Sequence, residues 1–263
     1  MTSRPTLSRR EFCVAAAGTA AVMLAGCRAG VAPGQSESDP SRLTARPSPP
    51  TRSITPGTFP LGLGTDRDGF LYVPPSYRPS VPAPLMILLH GAGRSSSEWS
   101  TAPLDTMFGA QGIVVLGPDS RGPTWDLGLG GFGPDVAFID RALRSTYERC
   151  NIDPSRVGLG GFSDGASYAL SLGITNGDLF SRLIGLSPGF LAPATQRGKP
   201  PVFIAHGTAD TVLPIDGTSR VFVPQLRSAG YDVTYVEFNG PHAIVVSIVT
   251  QAAIWFTTGR APD

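Results

Sequence analysis

The feature that most constrains this chain is an alternation that begins near residue 62. Short apolar runs bounded by Gly, Pro or His recur, with longer stretches of helical period between them. Residues 69–73 form a β-rich run closed by Pro74 and Pro75. Residues 84–90 and 112–117 are almost wholly apolar, and 156–162, 183–187, 201–205 and 232–238 complete the set. A strand without polar alternation is one covered on both faces, the habit of parallel sheets. Helical stretches fall at 104–111, 135–149, 166–173, 218–229 and 244–257, and in the second of these Val136, Ile139, Leu143 and Tyr147 stand at helical spacing. Strands alternating with helices of this length imply βαβ units. The expected class is α/β: one domain over 61–263, a mostly parallel sheet with helices on both faces, and no internal repeat.

Composition supports this by exclusion. Gly (32) and Pro (26) are far too frequent for a coiled coil or helical bundle. An apolar content of 41% excludes a wholly disordered chain, and a net charge of +1 gives no electrostatic footprint for nucleic acid.

Residues 1–26 read as an address. Arg9 and Arg10 precede an uncharged stretch from Phe12 to Gly26, 15 residues long, short of the roughly 20 that span a bilayer. The pattern is that of an export signal, and the paired arginines resemble a twin-arginine leader. Leu24-Ala25-Gly26-Cys27 resembles the lipobox of bacterial lipoproteins. The resemblance implies that Cys27 takes a diacylglycerol and becomes the mature N-terminus, anchoring the exported protein to the membrane of the cell envelope. Residues 27–60 carry seven prolines among Ser, Thr, Arg and Gly and read as a tether. Cys150 is then the one cysteine left, so no intramolecular disulfide is expected, and its ordinary role is that of a small buried apolar side chain.

The segment richest in chemistry is Gly161-Phe162-Ser163-Asp164-Gly165, a G-x-S-x-G pattern between an apolar strand and a helix. That context makes a nucleophile elbow: the glycines permit a tight turn that lifts the Ser hydroxyl above the sheet. A serine nucleophile needs a base. There are three histidines, His90, His206 and His242. The elbow goes with the chain order Ser, acid, His. His242, after the last strand, leaves room for an acid before it, whereas His90 and His206 each end a strand and read as structural or site-lining residues. Asp210, in the loop after the 201–205 strand, is the candidate acid that orients the imidazole. Asp216 is its rival, with an alternative reading as a helix cap or loop residue. The second oxyanion donor is expected in the loop His90-Gly91-Ala92-Gly93, from Ala92 or else Gly93, beside the N–H of Asp164.

Together the segments 88–94, 117–126, 161–166 and 206–210 resemble the phospholipase/carboxylesterase branch of the α/β-hydrolases, including poly(3-hydroxybutyrate) depolymerase-like and feruloyl-esterase-like proteins. The resemblance covers about residues 62–258. It implies the α/β-hydrolase fold and a serine esterase with Ser163, Asp210 and His242 as its triad. The 46 residues between Ser163 and Asp210 leave no room for a large lid domain. Trp125, Phe132, Phe190 and Leu191 are candidates to line an acyl or alcohol pocket, with core packing as the alternative for each. No cofactor and no metal cluster is expected, and the Gly-rich stretch 128–133 lacks the strand a dinucleotide loop requires. The expected partner is a small-molecule or polymeric ester, met by a monomer. Two other readings remain open: a peptidase-type relative of the same fold, and a surface lipoprotein that binds a ligand without turnover.

Overall fold

The computed structural model describes residues 39–261. The expected export signal, its twin arginines and Cys27 lie outside the described residues. In chain order the elements are β1 (Gly57–Pro60), β2 (Gly69–Val73), β3 (Ala83–Leu89), α1 (Ser97–Ser100), α2 (Leu104–Met107), β4 (Val114–Pro118), α3 (Pro134–Arg149), β5 (Ile152–Phe162), α4 (Asp164–Thr175), β6 (Arg182–Leu186), β7 (Val202–Gly207), α5 (Ser219–Ser228), β8 (Val233–Phe238) and α6 (Val246–Thr258). The strands form one eight-stranded sheet in the order β1-β2-β4-β3-β5-β6-β7-β8. From β4 to β8 every pairing is parallel. Only β2 runs against its neighbours β1 and β4.

The apolar runs follow from how this sheet is covered. In β3 all seven residues are buried. Leu85, Ile87 and Leu89 belong to one core with Ile139 and Leu143 of α3, Leu170 and Leu172 of α4, and Phe222 and Leu226 of α5. Met86 and Leu88 face the other layer, with Met107 of α2 and Val249, Trp255 and Phe256 of α6. Successive strand residues thus enter two different cores, and neither side tolerates a polar alternation. Cys150 is fully buried, and burial pushes its thiol up to about 12, so it is a protonated, inert side chain.

Residues 39–60 differ from the expected tether. Ser41, Leu43 and Ala45 are buried, each at most 3% exposed. Asn176, at the end of α4, accepts from the Leu43 N–H (2.9 Å) and donates to the Ser41 carbonyl (2.8 Å). Asp140 of α3 accepts from the Thr44 and Ala45 N–H groups at 2.6 and 2.7 Å. Arg42 and Arg46 both reach Asp178 at 2.9 Å. This segment is a strap fastened over α3 and α4. Its three inward residues alternate with outward ones, a period too brief among prolines and arginines to read in advance. β1, also inside the expected tether, adds an edge strand whose alternate residues are exposed.

Candidate active site

The site lies at the carboxyl ends of β3, β5 and β7, where an open parallel sheet exposes its loops to ligand. At the end of β5 the chain turns through Ser163 straight into α4. Ser163 holds φ 58° and ψ −121°, a left-handed conformation rare outside glycine, and such strain clusters at functional positions. The flanking glycines are imposed by close approach. A Cβ at Gly161 would stand 2.4 Å from the Gly165 carbonyl oxygen, and one at Gly165 would stand 2.4 Å from that of His90 and 2.5 Å from that of Leu89. The turn is held from behind by the Ser163 N–H, which donates to the Leu186 carbonyl at 2.9 Å.

Three residues singled out by the sequence form one hydrogen-bonded chain. Ser163 Oγ lies 2.9 Å from His242 Nε2, and His242 Nδ1 lies 2.6 Å from Asp210 Oδ2. Asp210 accepts at Nδ1, so that nitrogen carries the proton and Nε2 is left to accept from the serine. The Phe162 ring stacks on the imidazole at 4.7 Å. Burial opposes the charge on Asp210, but the Leu213 N–H, His242 and the Val212 N–H outweigh it and hold the carboxyl below its usual range. The Asp210 side chain is 0% exposed and that of His242 12%, so the acid is sealed while the base keeps an open edge. Asp216, the rival acid, sits in a 3-10 turn (Ile215–Gly217) and bonds Arg220 at 2.7 Å, away from this chain.

The oxyanion side is built from two loops. The Gly93 N–H is occupied by the Pro123 carbonyl at 2.7 Å. Neither the Ala92 N–H nor the Asp164 N–H has an acceptor among the described residues. The Asp164 carboxylate is turned aside, held by the Thr124 hydroxyl and by the Trp125 N–H at 3.3 Å. Its role is to fasten the 120s loop to the elbow. His90 is sealed beneath: it accepts from the Ser120 N–H at 3.0 Å, and burial holds its pKa below the ordinary value. Glu98 on α1 was not singled out by sequence. Its carboxylate takes the Gly91 N–H at 2.7 Å, and burial raises its pKa. The same oxygen stands 3.6 Å from where a Gly91 Cβ would be, and the Ser163 Cβ stands 3.5 Å from that point. No motif marks it, because only the turn after β3 brings it beside the serine.

Two of the four expected pocket residues are not at the surface. Trp125 and Leu191 are each 0% exposed. Trp125 donates to the His90 carbonyl at 2.8 Å and packs 5.1 Å from the Tyr168 ring, so it is core below the loop rather than pocket wall. Phe132 packs edge-on to Tyr168 at 5.6 Å, and it and Phe190 are half-buried. The loop carrying Phe190 is laid along α4 by hydroxyls one turn apart. Ser167 accepts from the Gly189 N–H at 2.8 Å, Ser171 from Ala192 at 2.9 Å, and Thr175 from Ala194 at 3.0 Å. Each hydroxyl also donates to the helix carbonyl four residues back. Leu129, Val212 and Val246, the last at the start of α6, are exposed large apolar side chains. Among the described residues there is no cluster of metal-ligating side chains.

Comparison with known proteins agrees with this architecture. A family model described as phospholipase/carboxylesterase matches residues 136–257. The bifunctional acetylxylan esterase/xylanase of Neocallimastix patriciarum is 29% identical over 157 residues, 57% of this chain and 22% of that protein. Acyl-protein thioesterase 1 of Emericella nidulans is 36% identical over 97 residues, 34% of this chain and 41% of that protein. The chain thus spans well under half the length of these two relatives. The structure of a fluorophosphonate-binding serine hydrolase F of Staphylococcus aureus superposes with a TM-score of 0.63 at 12% identity, covering 78% of this chain and 100% of that one. With its sheet order and helices on both faces, the domain has the α/β-hydrolase fold, and among the described residues no large lid interrupts it.

Proposed function

We propose that the protein is a serine hydrolase that cleaves carboxylic esters through an acyl-enzyme. The observation that carries this reading is the hydrogen-bonded chain Ser163–His242–Asp210 at 2.9 and 2.6 Å. Ser163 Oγ attacks the ester carbonyl while its proton passes to His242 Nε2. The oxyanion is met by the N–H groups of Ala92 and Asp164. His242 then protonates the departing alcohol, and a water deprotonated by the same nitrogen releases the acid. Asp210 keeps the imidazole in the required tautomer and stabilises its charged form. The likeness to proteins described as esterases and thioesterases favours ester or thioester over peptide bonds.

The test is hydrolysis of p-nitrophenyl acyl esters by the wild type and Ser163→Ala, with a fluorophosphonate probe alongside. The expected result is labelling of Ser163 and a loss of at least about 10³-fold in kcat in the variant. Unchanged hydrolysis by Ser163→Ala overturns the assignment. We further propose export and anchoring through Cys27. Membrane fractionation of Cys27→Ala then finds the protein released, and equal membrane association of that variant refutes the anchor.

A further inference from the structure

Asp210 has a second imidazole neighbour that the triad does not use. His206 ends β7 with a side chain 0% exposed, and its Nε2 lies 3.1 Å from Asp210 Oδ2, the same oxygen that receives His242. The same nitrogen lies 2.8 Å from the Leu213 carbonyl. A carbonyl only accepts, so Nε2 carries the proton and donates it to Leu213, while Asp210 Oδ2 flanks the same N–H edge at 3.1 Å. On the other side of the ring Nδ1 lies 2.7 Å from Ser219 Oγ, at the start of α5. In a neutral ring that nitrogen accepts, so the Ser219 hydroxyl donates to it and fixes the tautomer.

The ring is neutral for a physical reason. Burial disfavours its charged form, and although the Leu213 carbonyl and Asp210 pull the other way, its pKa is held below the ordinary value. The charged and titratable groups around it are Asp210 on its own loop, His242 after β8 and Glu237 of β8, which pairs with His206 in the sheet register. Arg220 of α5 neutralises Glu237 at 2.6 Å. On the far side of His242 the nearby carboxylate is Glu98.

We propose that His206 and Ser219 are positioning residues that extend the chain to Ser163–His242–Asp210–His206–Ser219 and set the basicity of His242 through Asp210. The inference rests on the serine-hydrolase reading above. Asp210 Oδ1 is filled by the Val212 and Leu213 N–H groups. The polar N–H edge of His206, 3.1 Å from Oδ2, therefore closes the remaining side of a carboxylate already held by three donors. It also draws charge from Oδ2, weakening that oxygen's hold on the His242 imidazolium. Without it the carboxylate binds the charged imidazole more strongly, and a larger fraction of His242 stays protonated and unable to act as base. The acid limb of kcat/KM therefore moves to higher pH.

The experiment is the pH profile of kcat and KM for p-nitrophenyl ester hydrolysis in wild type, Ser163→Ala, His206→Leu, His206→Asn and Ser219→Ala. Circular dichroism confirms folding of each. His206→Leu is expected to lower kcat about 10-fold or more, with KM within about 2-fold, and to move the acid limb up by about half a pH unit or more. His206→Asn returns an N–H and recovers most of both effects. Ser219→Ala leaves a small change in volume, so it folds even where His206→Leu does not, and it shifts the limb in the same direction by a lesser amount. A folded His206→Leu or Ser219→Ala with the wild-type limb and wild-type kcat overturns the inference, as does a failure of His206→Asn to recover the limb. An active Ser163→Ala would instead sink the underlying functional reading, so the two failures are distinguishable.

Discussion

The substitution Gly165→Ala tests how tightly the elbow is built. A methyl at this position meets the His90 carbonyl oxygen at 2.4 Å, the Leu89 carbonyl oxygen at 2.5 Å and the Leu89 carbonyl carbon at 2.6 Å. All three are backbone atoms at the end of β3, the central strand paired on both sides. They have no rotamer to escape into. Real Cβ atoms do not approach within 3.0 Å, so β3 and α4 must separate by about 0.6 Å or more, and a close-packed interior resists this. Overpacking of this kind costs about 1–3 kcal/mol, or roughly 2–12 °C in Tm for a domain of this size. The kinetic effect is larger, because α4 carries Ser163 and the Asp164 N–H while the strand carries the oxyanion loop. A displacement approaching 1 Å at a positioned nucleophile lowers kcat about 10–100-fold. Thermal melting and ester hydrolysis measure the two effects. Gly217→Ala, where no atom lies within 4 Å of the added methyl, is the control, expected within about 0.5 kcal/mol of wild type. A Gly165→Ala variant with wild-type Tm and kcat would refute the reasoning.

Three further outcomes follow from the same structure. Asn176→Ala removes the partners of the Leu43 N–H and the Ser41 carbonyl, and denaturant unfolding should show a loss of about 2–4 kcal/mol with faster proteolysis between residues 39 and 56; unaltered proteolysis would mean the strap is held by something else. Burial raises Asp135 to about 6, above its unfolded value, even though the Arg121 and Asp126 N–H groups oppose the shift. The folded state therefore holds this proton more tightly, and the group's contribution to stability is full below about pH 4 and falls as pH rises through about 6, by on the order of 2–3 kcal/mol. Asp135→Asn should remove that part of the slope in melts between pH 4 and 7, and an identical slope would contradict it. Trp125→Phe leaves the buried His90 carbonyl without its donor. It should cost about 1–3 kcal/mol of stability with KM within about 3-fold of wild type, whereas a large change in KM alone would return Trp125 to the pocket wall.

Legibility in the sequence follows the range of the forces involved. The parallel sheet was legible because double burial writes an apolar run into each strand, as in 84–90 and 201–205. The elbow was legible because a strained turn under a helix demands glycine at both 161 and 165. The chain order narrowed the histidine and the acid to His242 and Asp210, which lie in one hydrogen-bonded chain with Ser163. What stayed hidden depends on contacts distant in sequence. Leu43 and Ala45 join the core through Asn176 and Asp140, more than ninety residues away, so the strap read as a tether. Trp125 and Leu191 look like pocket aromatics and aliphatics in any Gly-rich or Pro-rich loop. Their burial is decided by Tyr168 and by the hydroxyls of α4, which no local pattern announces. Glu98 and the His206–Ser219 pair depend likewise on where loops meet after the sheet has formed.

The hydroxyls of α4 have a consequence for when the wall of the site comes into being. The amides of Gly189, Ala192 and Ala194 are bonded to side chains of a buried helix rather than to their own loop or to water. Their exchange with deuterium then tracks the opening of α4 and not the fraying expected of a surface connection. In a stability map of the domain this stretch belongs to the same cooperative unit as the nucleophile, so Ser163 and the ground on which Phe190 stands are gained together and lost together. The half-buried side chains of the loop, Phe190 among them, can change without disturbing these bonds, since the helix hydroxyls grip only the backbone. The position of that backbone is inherited from Ser167, Ser171 and Thr175.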